Sequence, residues 1–442
     1  MYTISETQQD ILARLKIAAL NEMQLTALEA AETNQNILLL SATGSGKTLA
    51  FLLPLVSKLN ADCKAPQALI IVPSRELAIQ IDDVFRKMQT GLKVTLCYGG
   101  HKRETEENNL LEAPALIIGT AGRLADHIRR NNFATDQIHT LILDEFDKSL
   151  ELGFHAEMEF IIGSIKNIQS RMLTSATETV MVPDFIGLQN PTRLNFLDLV
   201  IENAIGVEIK TVLSEEKDKV NTLFKLICFL GNRSSIIFCN HRESVERTSQ
   251  LLAEKGIVNV FYHGGMEQQE RDSALCKFKN GTSSFLVTTD LASRGLDIPN
   301  IRNIIHFHLP SGEDVFTHRN GRTARMIASG TVYVIYSDDE KLPAYITQDS
   351  TEQEFTRTYE LPEKPQWSTL FIAAGKKDKV NKIDIVGFLA QKGKLKKEDI
   401  GLIEVKDFFS FVAIKKIKVS ETLREIKDEK IKNKKVKIEV AK

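Results

Sequence analysis

The sequence predicts an α/β protein: two tandem parallel-sheet domains followed by a small α+β domain at the C-terminus. Three observations carry this expectation. Short, continuously apolar runs alternate with stretches of helical period, as expected of parallel strands buried on both faces. The alternation pauses near residue 203 and then begins again. The segment 367–442 differs in charge, with 20 Lys+Arg against 11 Asp+Glu, whereas the 442-residue chain as a whole carries 57 against 58.

In the first series the candidate strands are 36–40, 68–72, 94–98, 115–119, 140–143 and 171–175, with a helical pattern at 75–87. Residues 201–219 are polar and mixed, so they read as a connection between domains at 1–202 and 203–348. The second series places strands at 235–239, 258–262, 284–288, 303–308 and 331–336. Residues 349–366 are acidic, contain Pro362 and Pro365, and read as a linker. The final domain, 367–442, shows strand patterns at 369–373, 400–405, 409–414 and 436–440 around a helix at 382–391.

A hydrophobic content of 43% excludes wholesale disorder. The five cysteines (Cys63, Cys97, Cys228, Cys239 and Cys276) form no C-x-x-C pair, so they read as small core residues in a reducing compartment. The N-terminus lacks the regions of a secretory leader, and no apolar run approaches the length that spans a bilayer. A cytoplasmic protein with no membrane partner is expected. The near-zero net charge conceals an acidic body, 37 basic against 47 acidic residues, and a basic tail. Such asymmetry suggests either a domain for a polyanion or a solvated lysine-rich surface.

The strongest local motif is Ala42-Thr43-Gly44-Ser45-Gly46-Lys47-Thr48, placed between a strand and a helix. Gly44 and Gly46 let backbone N–H groups converge on phosphate oxygens, and the helix N-terminus adds positive potential. Lys47 supplies charge to the outer phosphates, and the Thr48 hydroxyl is a magnesium ligand. At the end of the 140–143 strand stand Asp144-Glu145-Phe146-Asp147. Carboxylates there lie at the carboxyl edge of the sheet, so Asp144 is a metal ligand and Glu145 the group that orients or deprotonates an attacking water. A phosphate-bearing ligand and magnesium are expected there.

These motifs, followed by Ser175-Ala176-Thr177, resemble the DEAD-box family of ATP-dependent RNA helicases over nearly all of residues 16–340. Pro73-Ser74-Arg75-Glu76-Leu77, Gly99-Gly100, Thr120-Ala121-Gly122-Arg123, Gln268-x-x-Arg271, Thr288-Thr289-Asp290 and His318-Arg319-Asn320-Gly321-Arg322-Thr323-Ala324-Arg325 are similar to further family motifs, in family order. The resemblance implies two RecA-like domains. It implies catalytic arginines at Arg322 and Arg325, a ribose contact at Asp297, an adenine-reading Gln24, and interdomain coupling through Asp147, Ser175 and Thr177. It implies RNA backbone contacts at Arg75, Gly100, Thr120, Arg123, Arg271 and Thr288, which carry no base sequence. The chain departs from the pattern at Asn21-Glu22-Met23 around Gln24, at Tyr2 as the one aromatic available for stacking on adenine, at Phe146, at Ala121 and at Ala324. At Phe146 altered packing is expected, with activity kept.

The tail resembles the RNA-recognition (RRM-like) domain of DbpA-type bacterial helicases. Leu370-Phe371-Ile372 and Phe409-Ser410-Phe411-Val412-Ala413-Ile414 lie where that fold carries stacking aromatics. Alternation puts Phe409 and Phe411 on one face, either an RNA platform or a core face, and Phe408 on the other. Lysine clusters at Lys394-Lys396-Lys397, Lys415-Lys416-Lys418 and Lys432-Lys434-Lys435-Lys437 offer phosphate contacts. The expectation is a monomeric ATP-dependent RNA helicase that unwinds short duplexes, with structured ribosomal RNA as partner and ribosome assembly as setting. The alternative is an ATP-binding RNA clamp without productive turnover.

Overall fold

The structure, a computed structural model, describes residues 4–42, 44–177, 181–197, 207–293, 298, 301–321, 330–355, 359–432 and 434–442. They divide into two units, one ending near residue 205 and one running from 206 to the C-terminus.

The first unit is built on a seven-stranded sheet: β1 (Asn36–Ser41), β2 (Ala68–Val72), β3 (Val94–Cys97), β4 (Leu116–Thr120), β5 (Thr140–Leu143), β6 (Ser170–Ser175) and β7 (Thr192–Phe196), in the order β3-β4-β2-β5-β6-β1-β7. Every pairing is parallel. The apolar runs lie in the middle: all five residues of β2 are buried, and the Arg75–Lys87 helix covers one face with Leu77, Ala78, Ile81 and Phe85. Strand β7 was not legible as a strand, because an edge strand alternates in exposure and its sequence, Thr-Arg-Leu-Asn-Phe, is not an apolar run.

The second unit repeats this plan with β8 (Val207–Ser214), β9 (Ser235–Phe238), β10 (Asn259–Tyr262), β11 (Phe285–Thr288), β12 (Asn303–His306), β13 (Gly330–Ser337) and β14 (Ser350–Glu352), in the order β10-β11-β9-β12-β13-β8-β14 and again all parallel. Two of these strands correct the sequence reading. The polar connection at 201–219 contains β8, eight residues in register with β13, and the segment read as a linker begins with β14. Only β14 lies at the edge; β8 is paired on both sides, and it escaped the sequence reading because its buried side chains include Thr211 and Ser214 beside Val212.

The tail forms a four-stranded antiparallel sheet of β15 (Trp367–Ile372), β16 (Ile400–Val405), β17 (Ser410–Lys415) and β20 (Ile438–Val440), ordered β16-β17-β15-β20, with a separate ribbon of β18 (Lys430–Ile431) and β19 (Lys434–Lys435). Its core face holds Leu370, Ile372, Val412 and Ile414 against the Lys382–Gln391 helix through Ile385 and Leu389. The opposite face carries Phe371, Phe409 and Phe411, and it packs on the Gln268–Lys279 helix through Cys276. Polar contacts fix this seam. Ser273 Oγ donates to the Lys442 carbonyl at 2.7 Å, the Thr282 and Thr369 hydroxyls lie 2.8 Å apart, and Lys406 sits between Glu404 (3.2 Å) and Asp272 (3.5 Å).

One buried carboxylate organises the β3–β4 end of the first sheet. Glu106, 1% exposed on the Arg103–Leu110 helix, accepts at Oε1 from the Tyr98 N–H (2.8 Å) and faces His101 Nε2 (2.9 Å). At Oε2 it accepts from Arg123 Nη1 (2.9 Å) and faces His127 Nε2 (2.6 Å). Burial alone would raise this carboxyl, but the hydrogen bonds from His101, His127 and Tyr98, with the charge of Arg123, outweigh it and hold the group at about 2 instead of 4.5.

Two outcomes are expected. Above pH 4.5 Glu106 is ionised folded or unfolded, so its stabilisation of about 3 kcal/mol is fully present; it is lost as pH falls from 4.5 through about 2. Urea unfolding of Glu106→Gln over that range should therefore show a flatter acid limb than the native chain. Phe411→Ala should empty a site in the tail–helix seam and lower the stability of the second unit by about 3 kcal/mol, seen as a lower urea midpoint.

Candidate active site

The parallel topology brings the turns after β1, β5 and β6 to one edge of the first sheet. After β1 the chain enters the glycine loop, and Gly46 starts the Lys47–Lys58 helix at φ +92 with no side-chain cap. The N–H groups of the first turn thus remain available to an anion. Gly46 is required by contact as well as by φ, since a Cβ there would lie 2.4 Å from Gln24 Nε2. Lys47 is buried and donates from Nζ to the Ser41 carbonyl at 2.6 Å. Thr48 is half-buried in the first helical turn. Ala42, Ser45 and Gly44 take the loop positions expected of them, and Thr43 lies outside the described residues.

After β5, Asp144 and Glu145 are both buried, and Glu145 adopts φ +48, ψ +49, a left-handed conformation uncommon for a glutamate. Thr174 on β6 ties the pair together: its hydroxyl donates to Asp144 Oδ1 at 2.5 Å and accepts from the Glu145 N–H at 3.0 Å. Sequence reasoning passed over Thr174, although its place directly before Ser175 at the end of a buried strand marked it. Burial, then the neighbouring charges of Glu145 and Asp147, push the Asp144 carboxyl up to about 6, against the opposing effects of Lys47 and Thr174. Glu145 Oε2 is buried without a hydrogen-bond partner. Phe146, 1% exposed, packs beneath this turn with Leu143 and Leu173, which accounts for a bulky residue there.

The residues assigned to coupling also meet. Thr177 Oγ1 donates to Asp147 Oδ2 at 3.2 Å, and the Thr177 N–H donates to Ser175 Oγ at 3.0 Å. Gln24 sits against the phosphate loop: its Oε1 accepts from the Asn21 N–H (3.0 Å) and its Nε2 donates to the Gly46 carbonyl (3.2 Å). Asn21 adds a bond from Nδ2 to the Ser45 carbonyl at 2.9 Å. Tyr2, Asp297, Arg322 and Arg325 lie outside the described residues.

At the β2–β4–β3 end, Arg75 begins the Arg75–Lys87 helix and presses on Gly100, where a Cβ would stand 2.0 Å from Arg75 Nη1. Thr120 ends β4 and precedes the Ala121–Arg129 helix, which carries Arg123. Arg75, Gly100, Thr120 and Arg123 thus gather at one sheet edge. In the second unit Arg271 is buried and donates from Nη2 to Gln268 Oε1 at 2.6 Å. The structure packs three residues read as RNA contacts against their neighbours: Thr288, Phe409 and Phe411. Thr288 is fully buried, with its hydroxyl donating to the Tyr262 carbonyl at 2.8 Å, because it still belongs to the central strand β11; Thr289 is the half-buried residue at the strand end. Phe411 is 1% exposed in the tail–helix seam and Phe409 half-buried beside it, so their face is a packing face, while Phe408 is exposed at 58%.

A buried group of Cys97, Glu106 and His127 has metal-ligand types in proximity. The four donors already on the Glu106 carboxylate, one of them a guanidinium, account for it without an ion.

Comparison with known proteins covers both units. Residues 21–184 match the DEAD/DEAH box helicase family, 218–327 the helicase conserved C-terminal domain, and 369–440 the DbpA RNA binding domain. The ATP-dependent RNA helicase DbpA of Escherichia coli (strain K12) is 30% identical over 444 residues, covering 98% of this chain and 96% of its own. The protein of the same name from Bacillus subtilis (strain 168) is 29% identical, covering 100% and 98%. Among solved structures, S. cerevisiae Dbp5 bound to RNA and ADP BeF3 superposes with a TM-score of 0.66 at 25% identity, over 76% of this chain and 88% of that one. With phosphate loop, acidic strand end and basic tail all matched in order, the chain belongs to the DEAD-box family of ATP-dependent RNA helicases and to its DbpA group.

Proposed function

We propose that this helicase hydrolyses ATP with Glu145 as the group that orients and deprotonates water, and that it opens short duplexes in structured ribosomal RNA during ribosome assembly, as a cytoplasmic monomer. The observation that carries the catalytic assignment is the buried, unpartnered Oε2 of Glu145 at the end of β5. A carboxylate oxygen deprived of both water and donors is costly, and a water bound between it and a phosphoryl group relieves that cost.

Lys47 releases the Ser41 carbonyl to meet the outer phosphates, and the uncapped helix start receives the others. Thr48 and Asp144 would hold magnesium: both offer hard oxygen donors, and the raised Asp144 carboxyl fits a site short of positive charge. When bound, the ion neutralises phosphate charge. Arg322 and Arg325 supply further positive charge, Gln24 reads the adenine edge and Asp297 the ribose. Asp147, Ser175 and Thr177 report the nucleotide state to the second domain. Arg75, Gly100, Thr120 and Arg123 hold the RNA backbone, with Arg271 serving the second domain.

The tail directs the enzyme to its RNA by charge. Its aromatic face is occupied by the Gln268–Lys279 helix, so attraction is assigned to exposed lysines, among them Lys396, Lys397 and Lys416.

Two measurements test this reading. Glu145→Gln should slow RNA-stimulated phosphate release by roughly 10²–10⁴-fold while nucleotide still binds; normal turnover would remove Glu145 from its role. Replacing Lys396, Lys397 and Lys416 together by Ala should make the log–log salt dependence of binding to structured RNA shallower by about 2, with basal ATPase unchanged; an unaltered slope would locate the RNA elsewhere.

A further inference from the structure

Glu106 carries no motif and touches no nucleotide-binding residue, yet it joins elements that the RNA reading treats as separate. Its four partners come from the turn after β3, through Tyr98 and His101, and from the Ala121–Arg129 helix, through Arg123 and His127. Arg123 also donates from Nη2 to the His101 carbonyl at 3.4 Å, closing a ring between the two elements. The same turn contains Gly100, at φ +98, against which Arg75 packs. Tyr98 and His101 meet edge to face at 4.7 Å between ring centroids. Asn132 Nδ2 donates to His127 Nδ1 at 2.8 Å, so the His127 proton stands on Nε2, toward Glu106.

We infer that Glu106 is a positioning residue for RNA binding: its carboxylate fixes Arg123 and the 98–101 turn as one rigid unit and thereby sets the grip of the first domain on the RNA backbone. This rests on the reading of Arg75, Gly100 and Arg123 as RNA contacts. The chemistry is specific to a carboxylate. Four donors saturate two oxygens, and the isosteric glutamine would turn an N–H₂ group toward either the Arg123–His127 pair or the Tyr98–His101 pair. A half-buried guanidinium released from its acceptor no longer has a defined direction, and a backbone contact made by a wandering arginine is weaker.

The test is RNA-stimulated ATPase of the full chain, with single-stranded RNA and ATP varied independently. Glu106→Gln should raise the RNA concentration for half-maximal stimulation about tenfold, as expected for losing a hydrogen bond to a charged group, and leave KM for ATP unchanged. Because Glu106 acts in large part through Arg123, the double variant Glu106→Gln/Arg123→Ala should lose less RNA binding than the losses of the two single variants added together. An unchanged RNA half-saturation, or additive losses in the double variant, would overturn the inference. Should Glu106→Gln fail to fold, His101→Ala removes one donor at the more exposed rim of the same carboxylate. A raised RNA half-saturation there supports the role, and a native value overturns it. Absence of RNA stimulation in the native chain would instead refute the proposed function.

Discussion

A carboxylate withdrawn from water must be matched by donors or cations, and the carboxylates near the sheet edges of this structure can be read from how each one is matched. Glu106 has four donors for two oxygens and is fully satisfied. Asp290 is gripped by the buried Arg319, which also reaches the His308 carbonyl and Asn240. Asp144 and Glu145 are the exception. Between them they have one hydroxyl, the nearby charge of Lys47, and an oxygen with no partner. Satisfied carboxylates hold turns in place, whereas the deficient pair keeps acceptor capacity to spare, which is what the proposed catalytic role uses.

The topology decides where these solutions fall. In the order β3-β4-β2-β5-β6-β1-β7 the turns after β1, β5 and β6 are neighbours, and so are those after β2, β3 and β4. One half of the sheet edge therefore collects the phosphate loop and the acidic pair, and the other collects Arg75, Gly100, Thr120 and Arg123. On the proposed assignments, the nucleotide and RNA residues share one sheet with no side chain in common.

Much of this was legible in the sequence because it is local. A strand buried on both faces is a continuous apolar run, and a phosphate loop is a run of adjacent residues. The edge strands β7 and β14 were not legible, since an edge strand has no reason to be uniformly apolar, and β8, next to the edge, mixes buried Thr211 and Ser214 with Val212. Alternation placed Phe409 and Phe411 on one face but could not say that the Gln268–Lys279 helix covers it, a contact between residues more than a hundred apart in the chain. Thr288 and Thr289 differ by one position, which in a strand decides between the interior and its end. Glu106 was invisible for the same reason: its partners are defined by the turn after β3 and a separate helix, and no spacing announces them.

The central claim is that, among the described residues, the buried Glu106 carboxylate is fully matched by donors while the buried Asp144–Glu145 pair is not. Site-resolved ¹³C-carboxyl titration of the nucleotide-free protein tests it directly. The account predicts Glu106 titrating at about 2 and Asp144 at about 6. Two carboxyls titrating together near the ordinary value of about 4 would contradict it.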